Sequence, residues 1–370
     1  MTAVVSWPIY SSDDHLDIWA LPPDVWSSRA PAALADELPR VEVRDGSEWW
    51  VAGDVPISPR GEDAARRLSV IRRIDEDNDE ARISTPALRL QDMDRDGVFA
   101  SVIYGPAGFA RALATPEAKS AYYRAWNDYA VEFSAAAPDR LAVLAVLPIE
   151  SPEAAAEELE RVAALGVRGA MLDVFSIDYR QSEWECLWAA AGDTGLPISF
   201  HLAGGTSRLD GRAQGWEWAA HRAAVQLQLD EPLAAMIMSG ALERNPGMTL
   251  VLAECGAGWF AYFLNRMDEA VDNRLEKLRA EGFSLKQKPS EVFRQQVMIS
   301  FEQEKNGSVL LPLVGTDRFM WGSDYPHLDS TWPHSATAIA DAVGGLPEQD
   351  RRLVTADNCR RVYGFGAATA

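Results

Sequence analysis

The sequence predicts a (β/α)8 barrel, an α/β fold in which eight parallel strands form an inner sheet surrounded by helices. Eight short apolar segments, each as long as a buried strand, recur along the 370 residues. Most neighbouring segments are separated by a stretch with helical periodicity, and an apolar content of 47% can fill a large core. Eight such units are the number that closes a barrel. An open doubly wound sheet ranks second, because no glycine-rich phosphate loop follows an early strand.

The predicted strands follow one another from residue 7 to residue 324. They are WPIYSS (7–12), GVFASVIY (97–104), RLAVLAVLP (140–148), VRGAMLDV (167–174), LPISFH (196–201), MTLVLAE (248–254), VMISF (297–301) and FMWGSD (319–324). The clearest intervening helix is SPEAAAEELERVAALG, in which Ser151 can cap the first turn, Pro152 suits the first helical position and Gly166 can end the helix. We expect one barrel domain over residues 1–370.

Residues 20–90 differ from this alternating pattern. They are rich in proline, tryptophan and charged residues, and we find no strand periodicity in them. A long segment of this kind after the first strand indicates an insertion. We predict that it forms a lid or subdomain over the barrel mouth, where loops commonly carry function.

Charge and cysteine content exclude several classes of function. The chain has 55 acidic and 35 basic residues, a formal charge of −20 that repels phosphate backbones and anionic lipids, so we expect neither a nucleic-acid nor a membrane partner. Cys186, Cys255 and Cys359 are too far apart in sequence to suggest a disulfide framework or a thiolate zinc site, which fits a cytoplasmic setting. We find no signal-peptide pattern and no apolar run of about 18 residues. A small-molecule substrate is expected, and a homodimer is left open.

Polar side chains that can bind a metal ion occur where predicted strands end. Asp13 and His15 end the first strand, His201 ends the fifth, Glu254 the sixth and Asp324 the eighth. The carboxyl ends of all barrel strands open at one face. We therefore expect these residues to converge, although the first and last are about 300 positions apart.

Successive side chains of an extended segment point to opposite faces, and this decides the direction of the first-strand residues. Asp13 with His15, or His15 with Asp17, can face the barrel axis together while Asp14 points away. Imidazole nitrogens and carboxylate oxygens together suit a divalent ion such as zinc, manganese or iron. Two strand-end histidines with a matching aspartate favour a metal site over purely structural histidines.

Two residues on the sixth strand have simpler alternatives. Glu254 could pair with an arginine such as Arg266 instead of facing a site. Cys255 follows Glu254, so alternation turns it into the barrel wall and argues against a nucleophilic role.

At these residues the sequence resembles the amidohydrolase superfamily, in the amidohydrolase-2 branch similar to aminocarboxymuconate semialdehyde decarboxylase and γ-resorcylate decarboxylase. The strongest match is FMWGSDYPHLDSTWP, and others are LVLAECGAGWFAYFLNRMDEA, LPISFHLAGG, LQDMDRDGVFASVIYG and SSDDHLDIWALPPDVW. The matches run over most of the chain in the family's order. The resemblance implies that Asp13, His15, His201 and Asp324 bind one divalent ion, with zinc favoured and manganese or iron as alternatives.

The sequence departs from the family pattern at two places. Asp17 stands where many relatives complete a His-x-His pair, and Ile18 stands where others have a glutamate. Glu254 stands where the decarboxylases usually have a histidine that contacts substrate.

The residues and the resemblance together predict a metal-dependent hydrolase acting on a small organic acid or amide. In this hypothesis the ion activates a water molecule, and Asp324 accepts its proton and passes it to the leaving group. Glu254 orients substrate or acts as an acid, and His327 donates a hydrogen bond to the developing oxyanion. One alternative is a non-oxidative decarboxylase of an aromatic or unsaturated carboxylic acid, in which Asp324 protonates the ring carbon. A second is a catalytically inactive binding barrel, which leaves the convergence of the strand-end residues unexplained.

Overall fold

The computed structural model describes residues 5–60, 84–202, 209 and 214–366. All eight predicted barrel strands are confirmed, and the third is interrupted at Leu144. In chain order the strands are β1 (Ile9–His15), β2 (Arg40–Arg44), β3 (Ser47–Ala52), β4 (Val55–Pro59), β5 (Val98–Tyr104), β6 (Leu141–Val143), β7 (Ala145–Val146), β8 (Ala170–Leu172), β9 (Ile198–His201), β10 (Leu250–Ala253), β11 (Val297–Phe301) and β12 (Phe319–Trp321).

Two parallel sheets make up the barrel wall. One has the order β1-β5-β6 and the other the order β12-β11-β10-β9-β8-β7. They are continuous at Leu144, whose amide donates to Ile103 O at 2.8 Å. At the other seam, the segment after β12 returns to β1: His15 N donates to Tyr325 O at 2.7 Å and Asp324 N donates to Asp13 O at 2.8 Å. The predicted (β/α)8 architecture is confirmed.

Helices alternate with the barrel strands. In chain order they are α1 (Pro86–Asp96), α2 (Pro116–Ala135), α3 (Pro152–Ala164), α4 (Glu185–Thr194), α5 (Trp216–Ala224), α6 (Asp230–Met238), α7 (Ala241–Arg244), α8 (Phe260–Asp272), α9 (Leu275–Ala280), α10 (Pro289–Gln296), α11 (Gly307–Val314), α12 (Ser335–Val343), α13 (Glu348–Arg352) and α14 (Asn358–Val362). The predicted cap of α3 is present, because the Ser151 hydroxyl accepts from Ala154 N at 3.0 Å. Among the described helices, none is both long enough and apolar enough to cross a bilayer.

The segment 20–90 contains regular structure that the sequence analysis missed. The strands β2, β3 and β4 form an antiparallel sheet, and β4 packs against short 3-10 turns that follow β1 and β5. The sequence contains a signal for this sheet that the analysis missed, the dipeptide Asp45-Gly46, which favours a tight hairpin turn. Both residues adopt positive φ in the turn between β2 and β3. Helix α1 begins inside the segment at Pro86 and leads directly into β5. Residues 61–83 lie outside the described residues, and the lid role stays a prediction.

Candidate metal centre

The structure brings the predicted strand-end residues together at one face of the barrel. Asp13 Oδ1 lies 3.5 Å from Nε2 of both His15 and His201. Each histidine also contacts a second acid. His15 Nε2 lies 3.2 Å from Asp324 Oδ1, and His201 Nε2 lies 3.6 Å from Glu254 Oε2. Ligand atoms from four different strand ends therefore converge on one small region.

The alternation of β1 decides which acids face this centre. Asp13 and His15 point into it together, while the carboxylate of Asp14 accepts hydrogen bonds from Ser11 at 2.9 Å and from Ser323 at 2.6 Å in the barrel wall. Of the two arrangements that the sequence left open, the Asp13–His15 pair forms the cluster. Asp17 lies farther along the chain and contacts His327.

Two of the candidate acids sit on an unusual backbone. Glu254 has φ 53° and Asp324 has φ 58°, a left-handed conformation that non-glycine residues seldom adopt. Each occurs just beyond the end of a strand, at the barrel mouth. Such backbone strain concentrates at functional sites, so its presence at both acids supports a functional role for this region.

Local contacts aim the His201 ring at the centre. Its Nδ1 lies 2.8 Å from Leu202 O and donates to it, which leaves Nε2 facing Asp13 and Glu254. Burial opposes a positive charge on this ring, but Asp13, Glu254 and the Leu202 carbonyl together outweigh burial and raise the pKa of His201 to about 9. The same negative field favours a metal cation at Nε2.

The donor set fits a divalent ion. Both carboxylate oxygens of Asp13, and Nε2 of both His15 and His201, are buried without a hydrogen bond. Buried polar atoms are costly unless they find a partner. Within the described ranges, the ion-pair partners of Asp13, Asp324 and Glu254 are all histidines. A cation bound among these atoms would give each of them a partner and would offset the negative charge of the acids.

His327 bridges two carboxylates. Its Nδ1 lies 2.8 Å from Asp324 Oδ1, its Nε2 lies 3.0 Å from Asp17 Oδ2, and its ring stacks on His15 with centroids 4.0 Å apart. Because both partners are carboxylates, each ring nitrogen faces an acceptor, which is the arrangement that suits an imidazolium. Burial opposes this charge, but Asp324 and Asp17 outweigh it and raise the pKa of His327 well above its usual range. Neither ring nitrogen is left for the oxyanion hydrogen bond expected from the sequence.

Two further acids, Glu254 and Glu302, follow the neighbouring strands β10 and β11. The Glu254 carboxylate lies within 4.8 Å of ligand atoms of His15, Asp324 and His327. Burial, reinforced by the charge of Asp324, raises the pKa of Glu254 to about 8. Burial and the nearby Glu254 raise the pKa of Glu302 well above its ordinary value. The sequence analysis missed Glu302, although it follows β11 directly, just as Glu254 follows β10.

The alternatives for the sixth strand are resolved. Arg266 pairs with Glu269 on the same helix, and Glu254 faces His201. Cys255 is fully buried, and burial raises the pKa of its thiol well above the usual range, which agrees with a place in the barrel wall.

The comparison with known proteins assigns the family. Residues 15–365 match the family described as Amidohydrolase, and the chain belongs to it. A γ-resorcylate decarboxylase from Rhizobium sp. (strain MTP-10005) is 26% identical over 304 residues, which cover 76% of this chain and 87% of the relative.

Solved structures agree with the fold. The crystal structure of 5-carboxyvanillate decarboxylase from Sphingomonas paucimobilis has a TM-score of 0.71 at 22% identity, covering 98% of this chain and 100% of that one. A dihydroxybenzoic acid decarboxylase from Polaromonas sp. JS666, with bound manganese and 2-nitroresorcinol, has a TM-score of 0.66 at 19% identity, covering 96% and 97%. The predicted fold and family are confirmed, as is the prediction that the chain is an enzyme, and a divalent metal site is supported.

Proposed function

We propose that this enzyme is a metal-dependent, non-oxidative decarboxylase of a hydroxylated benzoic acid. The relative that is 26% identical is a γ-resorcylate decarboxylase, and the two solved structures described above are decarboxylases of aromatic acids. These relatives favour the decarboxylase alternative over the hydrolase that the sequence analysis placed first. The homodimer stays a prediction.

The observation that carries this proposal is the position of the His327 ring, whose Nδ1 lies 2.8 Å from Asp324 Oδ1 and whose Nε2 lies 3.0 Å from Asp17 Oδ2. Decarboxylation breaks the ring C–CO2 bond and forms a C–H bond, so each turnover consumes one proton as a carboxylate becomes CO2. Hydrolysis, in contrast, takes its protons from the water that it adds. A ring between two carboxylates that favour its protonated form therefore fits the reaction that needs a proton donor.

Asp13, His15, His201 and Asp324 would hold the metal ion. When bound, the ion would attract the substrate carboxylate and a neighbouring hydroxyl oxygen and offset their charge. We propose manganese before zinc, because the donor set is rich in carboxylates and the Polaromonas relative contains manganese.

The proton-transfer roles follow from the contacts. Asp324, charged at rest, would take a proton from His327 Nδ1 and deliver it to the ring carbon that bears the carboxylate. Asp17 would hold the His327 ring in place through Nε2. Glu254, at the end of β10, would donate a hydrogen bond to the substrate carboxylate when protonated.

Product analysis tests this function. The manganese-loaded and zinc-loaded proteins are incubated with 2,6-dihydroxybenzoate and other ortho-hydroxybenzoic acids, and in parallel with aryl amides and esters. We expect CO2 release and, in D2O, one deuterium at the carbon that carried the carboxylate. Hydrolysis of an amide or ester, without CO2 from any of the acids, would overturn the decarboxylase proposal and restore the hydrolase.

A further inference from the structure

Helix α1 presents an unusual buried polar face to the barrel. Arg89, Asp92 and Asp96 are 1%, 6% and 7% exposed, and their spacing places them along one side of the helix. Charged side chains are seldom buried to this degree unless they are paired. None of the three belongs to the candidate metal centre, so their burial needs a separate explanation.

Arg89 binds the main chain on both sides of the seam between β12 and β1. Its Nη2 donates to His15 O, and its Nη1 donates to Tyr325 O at 3.4 Å. The guanidinium also lies 4.4 Å from the centroid of the Tyr325 ring. His15 is a candidate metal ligand, and Tyr325 directly follows Asp324, which is another.

The other two residues anchor the loop after β12, which carries Asp324 and His327. The Tyr325 hydroxyl donates to Asp92 Oδ2, and Trp332 Nε1 donates to Asp92 O at 3.0 Å. Farther along the loop, Ser335 N donates to Asp96 Oδ1 at 3.0 Å. Helix α1 therefore holds this loop at both of its ends.

Asp14 supports the same seam from the barrel wall. It ties β1 to β5 and to the segment after β12, because it accepts from Ser11, Ser101 and Ser323. Burial raises the pKa of Asp14 to about 6, and the charge of Arg89 opposes that rise. The seam is thus held from the helix by Arg89 and from the barrel wall by Asp14.

We propose that Arg89 is a positioning residue that fixes the spacing between the metal ligands of the first and last barrel strands. This inference rests on the ligand assignment of the proposed function. Arg89 acts through the carbonyl groups of His15 and Tyr325. Partners one step behind a metal ligand commonly change metal affinity by about 10- to 100-fold when they are removed.

Metal affinity in matched variants tests the proposal. Mn²⁺ binding to the full chain is titrated by the electron paramagnetic resonance signal of the free ion, for wild type, Arg89→Met, Arg89→Lys and Arg161→Met. Arg161 is the control, because it is a partly buried arginine that joins α3 to α2 through Asp128 and lies away from the seam. Urea unfolding of each variant, measured without metal, reports the general loss of stability.

We expect Arg89→Met to weaken Mn²⁺ binding about 10- to 100-fold. Lysine keeps the positive charge and can reach one carbonyl but lacks the planar group that reaches two, so Arg89→Lys should show a smaller loss. Arg161→Met should bind like wild type even where it is less stable. If Arg89→Met does not fold, the Mn²⁺ titration of Arg89→Lys tests the positioning role in its place.

Two results would overturn the proposal, and they can be told apart. Wild-type affinity in a folded Arg89→Met or Arg89→Lys variant would remove the positioning role and leave the ligand assignment standing. Failure of wild type to bind either Mn²⁺ or Zn²⁺ would overturn the ligand assignment, and the role of Arg89 with it.

Discussion

The two sides of the candidate centre contain the same kind of acid in opposite proton states. On the side of the β12–β1 seam, burial disfavours the charge of Asp324, but His327 and His15 outweigh burial and hold its pKa low. On the side of β10 and β11, Glu254 and Glu302 are equally buried, and their pKa values are raised. The difference follows from the contacts of each acid. Asp324 Oδ1 lies 2.8 Å from His327 Nδ1 and 3.2 Å from His15 Nε2, which offsets its burial. His201 Nε2 lies 3.6 Å from Glu254 Oε2, and the charge of Asp324 adds to the effect of burial on Glu254.

His201 joins the two sides. Its Nε2 lies 3.5 Å from Asp13 Oδ1 and 3.6 Å from Glu254 Oε2. An ion bound by the ligands at the β12–β1 seam would therefore lie near the carboxyl group of Glu254. This asymmetry suits a reaction in which one side moves a proton and the other orients the substrate.

The largest effect should come from removing the seam-side proton carrier. Asp324→Asn keeps the shape but cannot take up and return a proton, so we expect decarboxylation to fall about 100-fold or more. Turnover is measured at saturating Mn²⁺, with Asp317→Asn as a surface control. Near-normal turnover would shift the proton transfer to Glu254 or Asp17.

The next effect concerns the residue between the two sides. His201→Ala removes a nitrogen that would bind the metal directly. Residues that only contact a metal ligand change metal affinity by up to about 100-fold, so we expect a loss of about 100-fold or more here. Elemental analysis after dialysis should find about one ion per wild-type chain and clearly less in the variant. His334→Ala, at the start of α12 and outside the centre, is the control. Undiminished metal in His201→Ala would remove His201 from the ligand set.

A smaller effect is expected from the side of β10 and β11. Glu254→Gln should keep the metal and lose most of the activity, about tenfold or more, because it alters a hydrogen bond to substrate and leaves the ligands intact. Metal content and turnover are measured on the same preparation. Loss of metal from this variant would instead identify Glu254 as a metal ligand and would contradict its assignment to substrate alone.

The last effect is a pH dependence of stability to which Glu254 contributes. The raised pKa values of His201 and His327 act in the same direction, but both histidines are present in wild type and in Glu254→Gln, so the difference between the two proteins reports Glu254. The pKa of Glu254 rises from its ordinary value of 4.5 to about 8 on folding. Between these values the folded protein keeps a proton that the unfolded chain releases, so stability falls as pH rises, by at most about 1.4 kcal/mol per pH unit from this group. Urea unfolding of metal-stripped protein from pH 5 to 8 should show a steeper decline for wild type than for Glu254→Gln. Equal slopes would contradict the raised pKa.

Much of the fold was readable from the sequence because the signals are local. Apolar runs located all eight barrel strands, and the residues around Ser151 located the start of α3. The sheet of β2, β3 and β4 was missed, since those strands are partly exposed and lack the continuous apolar run of the barrel strands, although the turn at Asp45 and Gly46 carried a hairpin signal.

The candidate centre was also readable in part. Strand-end position brought Asp13, His15, His201, Glu254 and Asp324 to one face, because parallel barrel strands end at the same side. Glu302 satisfied the same rule and was overlooked.

By itself, the sequence determined the order of the strands, their carboxyl ends and the side to which Asp13 and His15 point, because alternation and burial act over a few residues. Only the tertiary structure decided that His327 bridges Asp324 and Asp17, and that Arg89 spans the seam. It also decided that Asp324 is charged where Glu254 holds a proton. These properties depend on which distant groups come within a few ångströms of one another, and electrostatic interactions between buried groups are strong only at such distances.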